Sequence, residues 1–341
     1  MIKVYTDHEY LNEDNRKRIF PLLFDMVYKP NPKTQEHFCF TRSLEDANVA
    51  IFPVDIISFL HGDQKKYLQT WIDEASKYEI EIWVYAAGDF GVDLQGSNIK
   101  TFRFGGFDSK MNTNSQIMPA FINDPYDEIM TNDFYTLPKK TKPNIGFVGN
   151  ADGSILKLFK EYFLYLRRNF RAIKVGKFED YHGFYPSSYK RYRFLDKMSK
   201  SIKLDCNFIL RKKYRAKEKN AGNRKDSTLE FFTNIQNNLY IFCLRGNGNF
   251  SIRFYEALIM GRIPVLVDTD VRLPFANTIN WSKHCLLVSE KNLLEKIVSF
   301  HNAKSQVELE AMQFGNRKLI KEKLNRIDYF IQFSKQISKV K

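Results

Sequence analysis

Leu244-Arg245-Gly246-Asn247-Gly248-Asn249-Phe250-Ser251-Ile252-Arg253-Phe254-Tyr255-Glu256-Ala257-Leu258 sets the reading of everything around it. Just before it, Leu239-Tyr240-Ile241-Phe242-Cys243 is an apolar, aromatic run that predicts a buried strand. Within it, Ser251 is placed to cap a helix whose apolar positions Ile252, Tyr255, Leu258 and Ile259 follow 3.6-residue spacing. Gly261 is the expected stop, and Ile263-Pro264-Val265-Leu266-Val267 predicts the next strand. Strand, glycine-rich turn, helix and strand make one parallel crossover unit. Turns at the carboxyl ends of parallel strands are where open α/β sheets bind ligands. With two glycines, a helix N-terminus and two arginines, this turn predicts an anion site.

The chemistry divides by group. Gly246 and Gly248 let a backbone approach a ligand closely and take positive φ where needed. The N–H groups around Asn249 to Ser251, with the helix dipole, favour a phosphate. Arg245 and Arg253 suit diphosphate oxygens, each as a planar fork. Glu256 cannot bind phosphate, but its carboxylate accepts hydrogen bonds from two ribose hydroxyls. A plainer alternative makes Arg253 and Glu256 an i,i+3 surface pair worth about 0.2–0.5 kcal/mol.

The segment from Asn234 to Trp281 closely resembles the exostosin-like glycosyltransferases, family 47 of the sugar transferases. Those enzymes carry an Arg-Gly-x-Gly-Asn-x-Ser-x-Arg-x-x-Glu run, then Gly-x-Ile-Pro-Val, an acidic residue and Leu-Pro-Phe. This chain has Arg245 to Glu256, Gly261 to Val265, Asp268 and Asp270, and Leu273-Pro274-Phe275 in that order. Weaker echoes lie at Asn48 to Asp55, Trp83 to Asp89 and Asn144 to Asn150. The resemblance implies an α/β protein of GT-B architecture: two facing Rossmann-like domains with parallel sheets. It also implies a nucleotide-sugar donor, UDP-linked in our reading, and no obligatory metal or other cofactor.

A chain of 341 residues, 43% hydrophobic, can bury a large core, and its size suggests two domains. Lysine and arginine number 53 against 39 acids, a net charge of +14 that attracts nucleic acid, acidic polysaccharide or an anionic membrane face. Cys39, Cys206, Cys243 and Cys285 are too widely spaced for a zinc or disulfide framework. The N-terminus reads as a strand and no apolar run approaches membrane-spanning length. The expectation is a soluble, cytoplasmic protein, with peripheral contact at the inner membrane face allowed by its charge.

Strand signals at Ile2–Tyr5, Val49–Val54, Glu81–Ala86 and Ile99–Phe104 alternate with a helical pattern over Gln64–Lys77, so the first half predicts a parallel sheet. Tyr135 to Pro143, with two prolines and three lysines, is the expected linker. Ile145–Gly149 restarts the alternation, and Leu156 to Phe170 predicts an amphipathic helix. We expect an acceptor-side domain over 1–138 and a nucleotide-sugar domain over 139–312. The helical segment 313–341 is expected to pack back on the first domain. Lys174 to Lys225 reads as irregular and basic, with Ile209 to Arg215 a dense positive run.

An inverting transfer needs a base near the acceptor hydroxyl, expected from the first domain. Asp89, in the Ala87-Gly88-Asp89-Phe90-Gly91 turn after a strand, is the first candidate. Asp55, just past Val49–Val54, competes, and either is open to being a helix cap instead. Asp268 and Asp270 are expected to make donor-sugar or turn contacts in preference to binding metal as an Asp-x-Asp pair; Asn150 is a further sugar or loop contact. The six histidines, His182 among them, show no metal spacing. The expected function is inverting transfer to a surface polysaccharide or glycolipid. Two other classes stand beside it: a basic nucleic-acid- or polysaccharide-binding protein, and an inactive partner of a transferase. Nucleic acid is disfavoured because no recognised binding motif is present and the aromatics fall in predicted core elements.

Overall fold

In the computed structural model, which describes residues 1–175, 180–211 and 221–337, the strands form two separate parallel sheets. β1 (Ile2–Tyr5), β2 (Phe38–Phe40), β3 (Val49–Asp55), β4 (Glu81–Ala86), β5 (Ile99–Arg103) and β6 (Ser115–Ile117) stand in the order β2-β1-β3-β4-β5-β6. β7 (Asn144–Asn150), β8 (Asp205–Arg211), β9 (Tyr240–Cys243), β10 (Ile263–Val267) and β11 (Leu286–Val288) stand in the order β11-β10-β9-β7-β8. Both sheets belong to the α/β class, and their meeting across a crevice is the GT-B arrangement.

Strands covered on both faces carry unbroken apolar sequence, and the central strands do. β3 is buried from Val49 through Val54, and β10 throughout. Pro53 has no N–H to give a ladder, and the β3–β4 register breaks between Ile51 and Asp55. The helix Ile252–Ile259 buries Phe254, Tyr255, Ala257, Leu258 and Ile259, so Tyr255 is a core residue.

The chain end lies on the first sheet. The rings of Phe330 and Phe333, from the helix Arg326–Ser334, pack on Trp83 and Phe102. Tyr329 Oη donates to the Ile117 carbonyl at 2.9 Å, and Arg326 forks onto Asp25. The proline-flanked segment before β7 is also tied down. Gln313 brackets Leu137 through both its amide atoms, and the fully buried Arg262 donates to the Tyr135 carbonyl at 3.0 Å.

One stretch departs from the sequence reading. Lys174 to Lys225, expected to be irregular, contains the helix Ser187–Ser199, the strand β8 and the start of the helix Ala221–Gln236. β8 is an edge strand with only half-buried or exposed residues, so Asp205-Cys206-Asn207-Phe208-Ile209-Leu210-Arg211 lacks the apolar run that marks its neighbours. Of the positive run, Ile209 to Arg211 lies in β8, and 212–215 fall outside the described residues.

Candidate functional site

β7 opens the second sheet, the chain then adds β8 on one side and returns to add β9 on the other. The crevice beyond the carboxyl ends of β7 and β9 is therefore a topological switch point, the usual ligand position in such sheets. The quoted turn leaves β9 into this crevice. Arg253, on the first turn of the following helix, reaches across it: Nη2 donates to the Val148 carbonyl of β7 at 2.7 Å, and the guanidinium lies 4.2 Å over the Phe147 ring. Gly149 makes room, with φ at +152°; a Cβ there would stand 2.7 Å from Arg253 Nη2. Glu256 lies half-buried one turn further along the same helix.

Arg245 is 4% exposed. Its Nη2 donates to the Asn247 carbonyl at 2.7 Å and to His182 Nδ1 at 3.0 Å, and the guanidinium sits between the rings of Tyr185 and Phe107. Its Nε is buried with no hydrogen-bond partner. Burial pulls its pKa down, and the positive charge of Arg168 adds to that. Arg191, from the helix Ser187–Ser199, ties the two strand ends together through the carbonyls of Asn150, at 2.6 Å, and Arg245, at 3.3 Å. Arg168, 3.8 Å over the Phe90 ring, donates to the His182 carbonyl at 3.1 Å. Four arginines thus converge on one crevice, an arrangement that favours an anion there.

The first sheet supplies the opposite wall. Asp89 is exposed on the loop after β4, and its carboxylate acts electrostatically on Arg245. This loop meets the glycine turn backbone to backbone: a Cβ on Gly248 would fall 2.3 Å from the Asp89 carbonyl oxygen. Arg103, fully buried, holds the loop by donating from Nη2 to the Phe90 carbonyl at 3.0 Å, and it pairs with Asp93 at 3.2 Å. Asp180, from the far side of the crevice, joins Arg103 at 2.5 Å and donates its N–H to the Gly91 carbonyl at 3.0 Å. Asp89 therefore sits on a braced loop.

Several expected roles change. Asp55 Oδ1 accepts from the N–H groups of Ile57, at 3.2 Å, and Ala87, at 2.9 Å. It caps a short turn and pins the base of the Asp89 loop. Asn249 is fully buried and its amide donates to the carbonyls of Gly106, Thr269 and Asp270. Its side chain straps the two halves together. Ser251 occupies the N-cap position but its hydroxyl makes no capping bond. Neither Gly246 nor Gly248 has positive φ; Gly248 serves close approach to the Asp89 loop, while Gly246 has open space beside it.

Asp268 Oδ1 accepts from the N–H groups of Asp270 and Val271, closing a turn. Asp270, at φ +65°, accepts from the N–H and hydroxyl of Ser109. Asp268 thus makes a turn contact and Asp270 a long-range contact to the first half of the chain, so the two carboxylates serve separate partners. Among the described residues no group of three or more His, Cys, Asp or Glu side chains is placed to hold a metal.

His182 was missed because its flanks read only as a basic loop. It is buried between Phe90 and Phe107, at the junction of the two halves. Arginine only donates, so Nδ1 accepts from Arg245 and the ring proton is on Nε2. Burial, then the charges of Arg245, Arg168 and Arg103, lower its pKa from 6.5 to about 4. A folded-state pKa below the unfolded one means the unfolded chain binds the extra proton first. The contribution is complete above pH 6.5 and lost as pH falls toward 4. Wild-type unfolding free energy relative to His182→Gln should therefore drop by about 2–4 kcal/mol across that window. A difference between the two proteins that stays flat with pH would remove His182 from this account.

Residues 180–303 match the family model described as the Exostosin GT47 domain. That segment is exostosin-like. It begins at Asp180, one partner of Arg103, and takes in His182, Arg191, the glycine turn and Asp268–Asp270. The chain is 34% identical over 80 residues to the probable glucuronosyltransferase 47 A of Physcomitrium patens, covering 23% of this chain and 18% of that protein. It is 33% identical over 70 residues to the probable β-1,4-xylosyltransferase IRX10 of Arabidopsis thaliana, covering 20% and 17% respectively. The matches thus span less than a fifth of the length of these relatives. A glycosyltransferase structure from Rickettsia africae aligns over 99% of both chains at 9% identity with a TM-score of 0.39.

Proposed function

We propose that this chain is an inverting glycosyltransferase that moves a sugar from a UDP-sugar to a polysaccharide or glycolipid acceptor without a metal. The observation that carries the reading is the convergence of Arg245, Arg253, Arg191 and Arg168 on the β7–β9 crevice, with a buried Arg245 Nε lacking a partner. In the proposed step the acceptor oxygen attacks the anomeric carbon and its proton passes to the Asp89 carboxylate. The bond from that carbon to the diphosphate oxygen breaks, and UDP leaves with the electron pair. Arg245 and Arg253 stabilise the leaving charge, which is electrostatic catalysis by groups already in place. Glu256 takes the ribose hydroxyls. The Asp268 carboxylate is engaged in a turn and that of Asp270 with Ser109, so the arginines, and not a divalent ion, are assigned the diphosphate.

Two relatives are named for transfer of glucuronosyl and xylosyl units, which supports sugar transfer as the reaction class. Nucleic-acid binding is not favoured, because the arginines of this crevice are half-buried or buried around it. A melting-temperature screen against UDP, GDP, CMP and dTDP and their sugars tests the reading. UDP compounds should raise the melting temperature most, and no response to any nucleotide at millimolar concentration would show the donor assignment to be wrong.

A further inference from the structure

The helix Ile155–Val175 is packed the wrong way round for a globular core. Leu156, Phe159, Phe163, Leu166 and Phe170 recur at spacings of three and four, so they form one stripe. That stripe faces solvent: Leu156 is 82% exposed, Phe159 66%, Phe163 65% and Phe170 67%. Ile155 and Tyr162 extend it on one side. Three charged residues are turned inward instead. Lys157 and Glu161 pair at 3.9 Å with most of their side-chain surface covered, and Arg168 reaches His182 and Phe90 at the crevice. An exposed apolar strip of this length marks an interaction surface.

Charge selects the occupant. Exposed Lys160, Arg167 and Arg171 lie seven and four residues apart, in a row along one flank of the stripe. Glu161, already facing inward, is the one acidic residue between Ile155 and Arg171. A second copy laid on the stripe would bring two basic rows together with no acidic row to answer them, against the pattern that pairs helices. An anionic lipid leaflet answers both features, taking the phenylalanines among its acyl chains and the basic row among its headgroups. Among the described residues no helix is long and apolar enough to cross a membrane, so this one would lie in the surface plane.

We propose that the outer face of the Ile155–Val175 helix docks this protein on an anionic membrane surface. The inference goes beyond sugar transfer and does not rest on it. Because Arg168 on the same helix borders the crevice, docking sets that crevice beside the lipid surface.

Co-sedimentation with vesicles of phosphatidylcholine and phosphatidylglycerol, against phosphatidylcholine alone, is the test. The wild type should partition to the anionic vesicles, less so as salt rises, and F159S/F163S/F170S should lose about tenfold or more of that binding. K160Q/R167Q/R171Q should lose the preference for anionic over neutral vesicles. Substitutions at exposed positions should leave the melting curve unchanged. As a check free of that assumption, Phe163→Trp should add blue-shifted emission with anionic vesicles only. No partitioning of the wild type overturns the proposal. So does a dimer in sedimentation equilibrium that F159S/F163S/F170S dissociates, since a second copy would then cover the stripe.

Discussion

Asp89→Asn should lower kcat by about 10²–10⁴-fold, the usual contribution of a general base, with UDP affinity and melting temperature nearly unchanged. The prediction rests on where the carboxylate stands. Asp89 is exposed on a loop that touches the glycine turn, at the wall opposite Arg253. A cap would show the reverse pattern, costing about 0.5–2 kcal/mol of stability and leaving turnover intact. Asparagine keeps the size and much of the capping ability of aspartate, so the two readings separate. Asp55→Ala is the companion measurement, since it removes the accepting oxygen that asparagine would keep. Because Asp55 Oδ1 holds the Ala87 N–H, its loss should loosen the loop and lower both stability and kcat, whereas Asp89→Asn lowers kcat alone. Near-normal kcat in Asp89→Asn would return Asp89 to a structural role.

Arg253→Ala should weaken UDP binding by about 1.5–3 kcal/mol, tenfold or more, and weaken uridine binding far less. The comparison between the two ligands matters because Arg253 also has a structural contact. Alanine leaves the Val148 carbonyl without its 2.7 Å donor and uncovers the Phe147 ring, and that damage falls on both ligands alike. The excess loss for UDP isolates the diphosphate. Glu256→Ala should weaken UDP and uridine together, since both carry the ribose. Equal losses for UDP and uridine in Arg253→Ala would reject the phosphate role.

The elements that frame the crevice were legible because they are buried on all sides. β3, β4, β9 and β10 carry the continuous apolar runs that parallel strands require, and the Ile252–Ile259 helix follows its predicted spacing. β2, β6 and β11 were not legible: three residues are too few to show a period. β8 escaped as an edge strand without an apolar run. At the site, residue type pointed to the turn that borders the crevice but did not say which atoms were already engaged. Nothing local to Asn249 shows that three carbonyls hold its side-chain amide. Asp55 and Asp89 both stand at strand ends, and the Ile57 and Ala87 N–H groups held by Asp55 tell them apart. Arg103, Arg191 and His182 are brought to the crevice by tertiary packing, and no local pattern marks them.

The amphipathic pattern of the Ile155–Val175 helix was also legible, but its direction was not. Period shows that a helix has an apolar face, and packing decides which way that face turns. Here the Lys157–Glu161 pair and Arg168 take the inner side.

The arginine crevice between β7 and β9 is proposed to hold a nucleoside diphosphate without a metal. Calorimetric titration of UDP into the wild-type protein in excess EDTA tests it most directly. Saturable binding is expected, tighter than that of uridine, with turnover of the UDP-sugar preserved in the same buffer. Absence of saturable binding in EDTA, restored by a divalent cation, would contradict it and return Asp268 and Asp270 to consideration as metal ligands.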